Sequence, residues 1–286
     1  MAATIPSVSR LSSRIIRVLC CNPGPMTLQG TNTYIIGTGE RRILLDAGEQ
    51  NDIQYMKRLE KVLKEENIDL EHIIVTHWHH DHIGGVHDVV SRLDNGCTVW
   101  KFKCIDPPDL PLPNNILLNY LKDGEEIRTE GATLRVIHTP GHTKDHIVLS
   151  LLEENCLFSG DCILGEGTAV FEDLYDYMNS LQRILELKPT CMYPGHGPVV
   201  EDPLPKIEYY INHRNKREEE IVRVLKEKGT KMSEMDIVKI IYTDTPKNLH
   251  TAAASNVNHH LYKLLKEKKV LQCGSEWQYN KLESNL

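Results

Sequence analysis

No apolar run in the 286 residues approaches the roughly 18 to 20 needed to span a bilayer. The best candidate, Ile15 to Cys21, is broken by Arg17, so a membrane-spanning chain is not expected and no membrane partner is inferred. Cysteine is also scarce, with eight residues and no CxxC pair, which excludes a disulfide framework and a zinc ribbon and fits a reduced intracellular set. The N-terminus lacks the uninterrupted h-region and cleavage site of a secretory signal. Acidic residues are missing altogether from Met1 to Gly39, where Arg10, Arg14 and Arg17 stand among Ser7, Ser9, Ser12 and Ser13. That is the composition of a mitochondrial presequence, as in a chain bound for the mitochondrial matrix; Arg14 to Cys20 reads equally as a first strand after a short lead, which leaves the cytoplasm open.

What remains is an ordinary globular balance, 40% hydrophobic and 26% charged, enough for a sizeable core. The net charge of −7 is unevenly placed. Residues 1–203 hold 18 basic against 29 acidic side chains, and residues 204–286 hold 15 against 11. An acidic body suits cations, and a basic tail suits a polyanion or is simply a solvated helical surface.

Through the first two hundred residues, short β-branched runs alternate with amphipathic stretches. Arg14 to Cys20, Thr33 to Ile36 and Arg42 to Asp46 read as strands, Tyr55 to Glu66 as a helix, Ile73 to Thr76 as a buried strand and Ile83 to Leu93 as another helix. Thr98 to Phe102 is extended, and Asp106 to Asn115 carries too many prolines for regular structure and reads as a surface loop. Strands resume at Thr133 to Thr139, His146 to Leu152 and Cys156 to Ser159, then a helix over Tyr177 to Leu187 and a last strand over Thr190 to Tyr193. Such a mixture implies sheets covered by helices, an α/β or α+β sandwich. After Pro203 and Pro205 the pattern turns helical, at Ile207 to Lys228, Met235 to Tyr242 and Ala252 to Lys268, and closes on a hairpin over Val270 to Tyr279. Three helices and a hairpin are the order of a winged-helix module. The chain thus divides into residues 1–203, expected to be catalytic, and residues 204–286, expected to be winged-helix-like.

The chemistry is concentrated in His77-Trp78-His79-His80-Asp81-His82, directly after the apolar strand Ile73 to Val75. Imidazole and carboxylate are ligands that Zn²⁺ prefers, and burying four histidines and an aspartate without partners would be costly. Three later residues repeat the strand-then-ligand arrangement, each preceded by glycine: His142, Asp161 and His196. Singly each is more often structural. Asp46, in Leu45-Asp46-Ala47-Gly48, reads either as an orienting carboxylate behind a liganding histidine or as an ordinary turn residue.

The HxHxDH motif followed by His142, Asp161 and His196 resembles the metallo-β-lactamase superfamily over about residues 14–203. That resemblance implies a four-layer αββα sandwich with two metals at one edge. It assigns His77, His79 and His142 to one ion, Asp81, His82 and His196 to the other, and Asp161 to both, with Asp81 and Asp161 as the catalytic carboxylates. The ions expected are two Zn²⁺, although such donors also hold iron or manganese. His80 matches no ligand position, and His138, His146, His259 and His260 are set aside with it. Trp78 is expected to pack rather than bind substrate. No cysteine occupies a ligand position, which argues against lactam hydrolysis.

A phosphodiester hydrolase, a glyoxalase II-like thioester hydrolase and a non-catalytic metal protein are the competing readings. The complete donor set disfavours the last. The Asp161 to His196 interval of about 35 residues is too short for the large inserted domain of one nuclease group. A basic appendage beside a dinuclear site suits an extended polyanion better than a small thioester. Over the whole chain, Cys21 to Asn32, Gly160 to Gly167 and Tyr175 to Ser180 resemble an animal branch of the superfamily. That branch implies a zinc-dependent mitochondrial endoribonuclease acting on single-stranded RNA through a metal-bound hydroxide, leaving a 5′-phosphate and a 3′-OH; the general acid is unassigned.

Overall fold

The computed structural model describes residues 4–93, 96–105, 108–109, 111–112 and 116–281. Of the expected proline-rich loop, residues 106, 107, 110 and 113–115 lie outside the described residues.

A seven-stranded sheet runs in sequence order: β1 (Val8–Arg10), β2 (Ile15–Leu19), β3 (Asn32–Ile36), β4 (Arg41–Leu45), β5 (Asp69–Val75), β6 (Thr98–Phe102) and β7 (Leu118–Leu121). Pairing is antiparallel from β1 to β4 and parallel from β4 to β7. The parallel strands need crossovers, and α1 (Ile53–Glu65) and α3 (Val86–Leu93) supply two of them. Asp52 caps α1 by accepting from the Tyr55 N–H, and the helix buries Tyr55, Met56, Leu59, Val62 and Leu63 along one stripe. The single helix expected at Ile83 to Leu93 begins three residues earlier and is interrupted, with α2 (His80–Ile83) separated from α3 by Gly84 and Gly85. A side chain at either glycine would strike a backbone carbonyl, of His80 or of Ala47.

The second sheet has the order β12-β11-β10-β9-β8, built from β8 (Glu126–Thr129), β9 (Ala132–His138), β10 (Ile147–Leu151), β11 (Cys156–Gly160) and β12 (Cys191–Pro194). Its outer face is covered by α4 (Leu174–Leu187) and the first half of α5 (Pro203–Lys228). Between the sheets, Tyr34, Ile43, Leu45 and Ile74 meet Leu134, Leu149, Phe158 and Tyr193 in one apolar layer. The outer face of the first sheet packs Ile35, Leu44 and Val75 against α1 and α3. Helix, sheet, sheet, helix is the expected four-layer α+β sandwich.

Beyond Lys228 come α6 (Glu234–Ile241), α7 (His250–Lys266) and the hairpin of β13 (Val270–Cys273) and β14 (Glu276–Tyr279), the expected winged-helix order. They enclose a separate core of Ile237, Val257, Leu261, Leu264 and Trp277. Helix α5 belongs to both bodies. Ile207 and Tyr210 sit in the core beneath the second sheet, whereas Ile221, Val224 and Leu225 sit in the winged-helix core. No helix among the described residues is long and apolar enough to cross a membrane.

Candidate metal centre

Every expected donor lies just past the C-terminal end of a strand: His77 to His82 after β5, His142 after β9, Asp161 after β11 and His196 after β12. Those strand ends gather at one edge of the sandwich, where the Ile147 N–H donates to the Thr76 carbonyl across the two sheets at 2.9 Å. All seven expected residues are brought together there, in overlapping groups of His77, His79 and His142; His77, His82 and Asp161; and Asp81, His82 and His196.

Ring orientations are set from outside. His142 donates through Nδ1 to the Val170 carbonyl at 2.8 Å, leaving Nε2 as a bare lone pair facing inward. His82 Nδ1 lies 2.7 Å from Asp46 Oδ2, so its Nε2 also points in. His77 Nδ1 contacts the Thr76 hydroxyl at 3.0 Å, and that hydroxyl contacts Asp46 in turn. An acceptor behind each ring fixes its tautomer, the arrangement that raises the basicity of liganding histidines. Asp46 is therefore an orienting carboxylate rather than a simple turn residue.

The fit to a cation is tested by the inward atoms. His77 Nε2 and His79 Nδ1 are 2.9 Å apart, and His142 Nε2 lies 3.2 and 3.1 Å from them. Burial, reinforced by neighbouring histidines, holds His77 well below its usual pKa, His79 at about 4 and His142 below the ordinary value, so these rings are neutral. With His77 and His142 protonated on the far side, at most one proton, on His79 Nδ1, is shared among three neutral nitrogens, too few to satisfy all of them by hydrogen bonds. Their spacing is close to the roughly 3.3 Å between ligands of a tetrahedral zinc. On the other side, His82 Nε2 and Asp161 Oδ1 are buried without a hydrogen-bond partner, 3.4 Å apart. His196 Nε2 is 3.1 Å from Asp81 Oδ2 and 3.2 Å from Asp161 Oδ2.

Burial opposes charge on His196, but Asp161 and Asp81 outweigh it and push the ring up to about 9; Asp46, Asp161 and Asp81 raise His82 in the same way. Burial likewise works against ionised carboxyls, yet His82 and His196 hold Asp81 and Asp161 well below the carboxylate range. The carboxylates therefore stay ionised and call for positive charge, which a divalent cation supplies without a proton. The donor set fits two such ions.

Tight backbone approach makes this possible. A Cβ at Gly195 would overlap Asp161 Oδ1, and Gly160, at φ +47°, presses against the His146 ring. His146, set aside on sequence grounds, is fully buried behind the centre, where its Nε2 accepts the Asp161 N–H at 3.1 Å. Thr31 donates to Asp81 at 3.1 Å, and Asn32 donates to the carbonyls of Pro194 and Gly197, pinning the His196 loop. No local motif marks these residues, because each acts on a distant segment. His80 is exposed and outside the centre, as expected, and Trp78 packs edge-on to His79.

Above the donors opens a cavity of about 220 Å³, walled by Pro25, Met26 and Leu28 on one side and by Leu164, Ala169 and Val170 on the other.

Comparison with known proteins follows the same division. A profile of the metallo-β-lactamase superfamily matches residues 26–196, and one of the β-lactamase-associated winged helix domain matches residues 233–277. The chain is 54% identical over 273 residues to the β-lactamase-like protein 2 homolog of Drosophila melanogaster, covering 94% of this chain and 93% of that protein. Among solved structures, a β-lactamase domain protein from Burkholderia ambifaria superposes with a TM-score of 0.79 at 18% identity, covering 98% of this chain and 96% of that one. Another, solved in a di-iron-bound form, gives a TM-score of 0.51 at 29% identity over 65% of this chain and 96% of its own.

Proposed function

The chain belongs to the metallo-β-lactamase superfamily, a family of metal-dependent hydrolases, and from that premise we propose that it is a zinc-dependent endoribonuclease cutting phosphodiester bonds of single-stranded RNA. The observation that carries the hydrolytic reading is the convergence of five imidazoles and two carboxylates, in overlapping groups, at one edge of the sandwich. When bound there, a pair of divalent cations activates a water at neutral pH and stabilises charge on the oxygens of an in-line displacement. His77, His79 and His142 would hold one ion, Asp81, His82 and His196 the other, and Asp161 both.

The chain's own groups do the remainder. Asp46 and the Val170 carbonyl keep the outer protons of His82 and His142 in place, so that their inner nitrogens stay available. Met26 and Val170, both exposed, form apolar lips that narrow access to recessed donors. A phosphodiester held in a duplex stays outside such lips, whereas a single strand can be drawn in, which favours unpaired RNA. The basic surplus of residues 204–286 supports a polyanionic substrate. Zinc suits this mixed imidazole and carboxylate set, and iron fills such a site in the di-iron relative, so metal identity is part of the test. We place the activity in the mitochondrial matrix on the resemblance to the animal branch alone, since Arg10 and Arg17 lie in β1 and β2 of the first sheet and their composition serves the fold.

One observation favours a second reading, thioester hydrolysis of the glyoxalase II kind: no lysine or arginine is among the residues lining the metal cavity. The decisive experiment loads metal-stripped protein separately with zinc, iron or manganese. Each form is then assayed on a labelled single-stranded oligoribonucleotide and on S-lactoylglutathione. Cleavage of RNA to 5′-phosphate products, greatest with zinc, is expected; turnover of the thioester alone would overturn the nuclease reading.

A further inference from the structure

Beside the metal cavity lies a second groove, of about 270 Å³, between the catalytic body and the winged helix. The two share Thr168, Ala169 and Val170 as a common wall, so they lie side by side. Their chemistry differs. The metal cavity is lined by Asp81, Asp161 and Glu166, whereas among the described residues the only permanently charged side chain lining the groove is Arg214.

Helix α7 forms the far wall through Ala252, Ser255, Asn256 and His259. Their spacing of three, four and seven residues places them on one helix face. Ala253, Val257, Leu261 and Leu264 point instead into the winged-helix core. On this face Ser255, Asn256 and His259 set a hydroxyl, an amide and an imidazole along the groove. His259 is half-buried with its ring edge-on to Phe171 at 5.2 Å. Arg214, only 7% exposed, donates to the Ala169 carbonyl at 3.1 Å and lies over the Phe171 ring at 4.8 Å, and its Nε has no hydrogen-bond partner. A positive charge thus underlies a polar groove that adjoins the metal cavity.

We propose that this groove is a second nucleotide subsite, taking the ribonucleotide that follows or precedes the cleaved phosphodiester, with Ser255, Asn256 and His259 against its base or sugar hydroxyls and Arg214 beneath its phosphate. The proposal rests on the RNA reading above. It predicts that the winged helix sets substrate length rather than chemistry.

The test measures kcat/KM of the metal-loaded full-length protein on uridine oligoribonucleotides of two to eight residues, for wild type and for Ser255→Trp, which fills the groove. Asn256→Ala and His259→Ala, which only shorten side chains, serve should the tryptophan disturb folding. Wild type is expected to gain about tenfold as the chain lengthens past the second residue, as one stacked base would supply. The variants are expected to lose most of that gain, and metal-free variants to bind labelled hexauridylate about tenfold more weakly. RNA cleavage with an undiminished length dependence in all three variants would overturn the subsite and leave the nuclease reading intact. Turnover of thioester but of no RNA would overturn both.

Discussion

Asp46 adopts φ +57°, a left-handed backbone that most residues avoid, and there its Oδ1 accepts the Thr76 N–H at 2.8 Å while Oδ2 meets His82 Nδ1. Both oxygens are committed to the ligand loop. Asp46→Asn keeps the shape but can no longer accept from His82 on equal terms, and we expect metal affinity to fall about 10- to 100-fold, read by chelator competition. His77→Ala and Asp161→Ala remove donors outright. Each should fold, bind less than the full complement of metal by elemental analysis and lose hydrolysis; undiminished activity with depleted metal would refute the centre. At this scale the ligands were legible because three tripeptide-sized patterns and one hexapeptide carry them. The residues behind them were not. Thr31, Asn32 and His146 act across 15 to 165 positions of chain, and nothing in their neighbours announces it.

Strands β1, β7 and β8 escaped the sequence pattern because their residues, Val-Ser-Arg, Leu-Asn-Tyr-Leu and Glu-Ile-Arg-Thr, are short and half-polar; all three lie at sheet edges. Longer elements with a full apolar stripe were read to within a few residues. Another feature invisible to periodicity is Lys101 on β6, fully buried with Nζ 2.6 Å from buried Asp145 and paired also with Asp109. Asp145 accepts from Thr143 and directly precedes His146, so the pair clamps the loop that carries His142. Lys101→Met should cost about 3 to 5 kcal/mol in urea unfolding, since it strands two buried carboxylates.

Helix α7 carries a second test. His260 is fully buried with neither ring nitrogen hydrogen-bonded. Burial first, then the charges of Arg214, Lys263, Arg217 and His259, push its pKa down to about 3. An unfolded chain takes up a proton near pH 6.5 that the folded one refuses, so this contribution to stability is intact above about pH 6.5 and is lost as pH falls toward 3. His260→Leu should flatten that acid limb by a few kcal/mol, seen in unfolding midpoints between pH 6.5 and 4.

For the whole molecule, the boundary expected between residues 203 and 204 falls at the first turn of a 26-residue helix whose two halves serve different cores. Composition marked where the pattern changes, but a change of pattern is not a change of packing. Truncation after Pro203 strips Ile207 and Tyr210 from beneath the second sheet, so the shortened body should melt several degrees lower by calorimetry. Salt offers a gentler probe of the proposed RNA reading: on that reading, affinity for single-stranded RNA falls steeply and log-linearly with ionic strength, and a flat salt response would count against it.

The Tyr210 hydroxyl donates to the Gly167 carbonyl at 3.0 Å and accepts the Leu164 N–H, and Arg214 holds Ala169, so α5 fastens the segment that walls the cavity. Damage that begins in the distal module, a nick or a frayed turn, is thereby transmitted as slack around the metal cavity. What an assay would register as failed turnover would have started as lost anchorage.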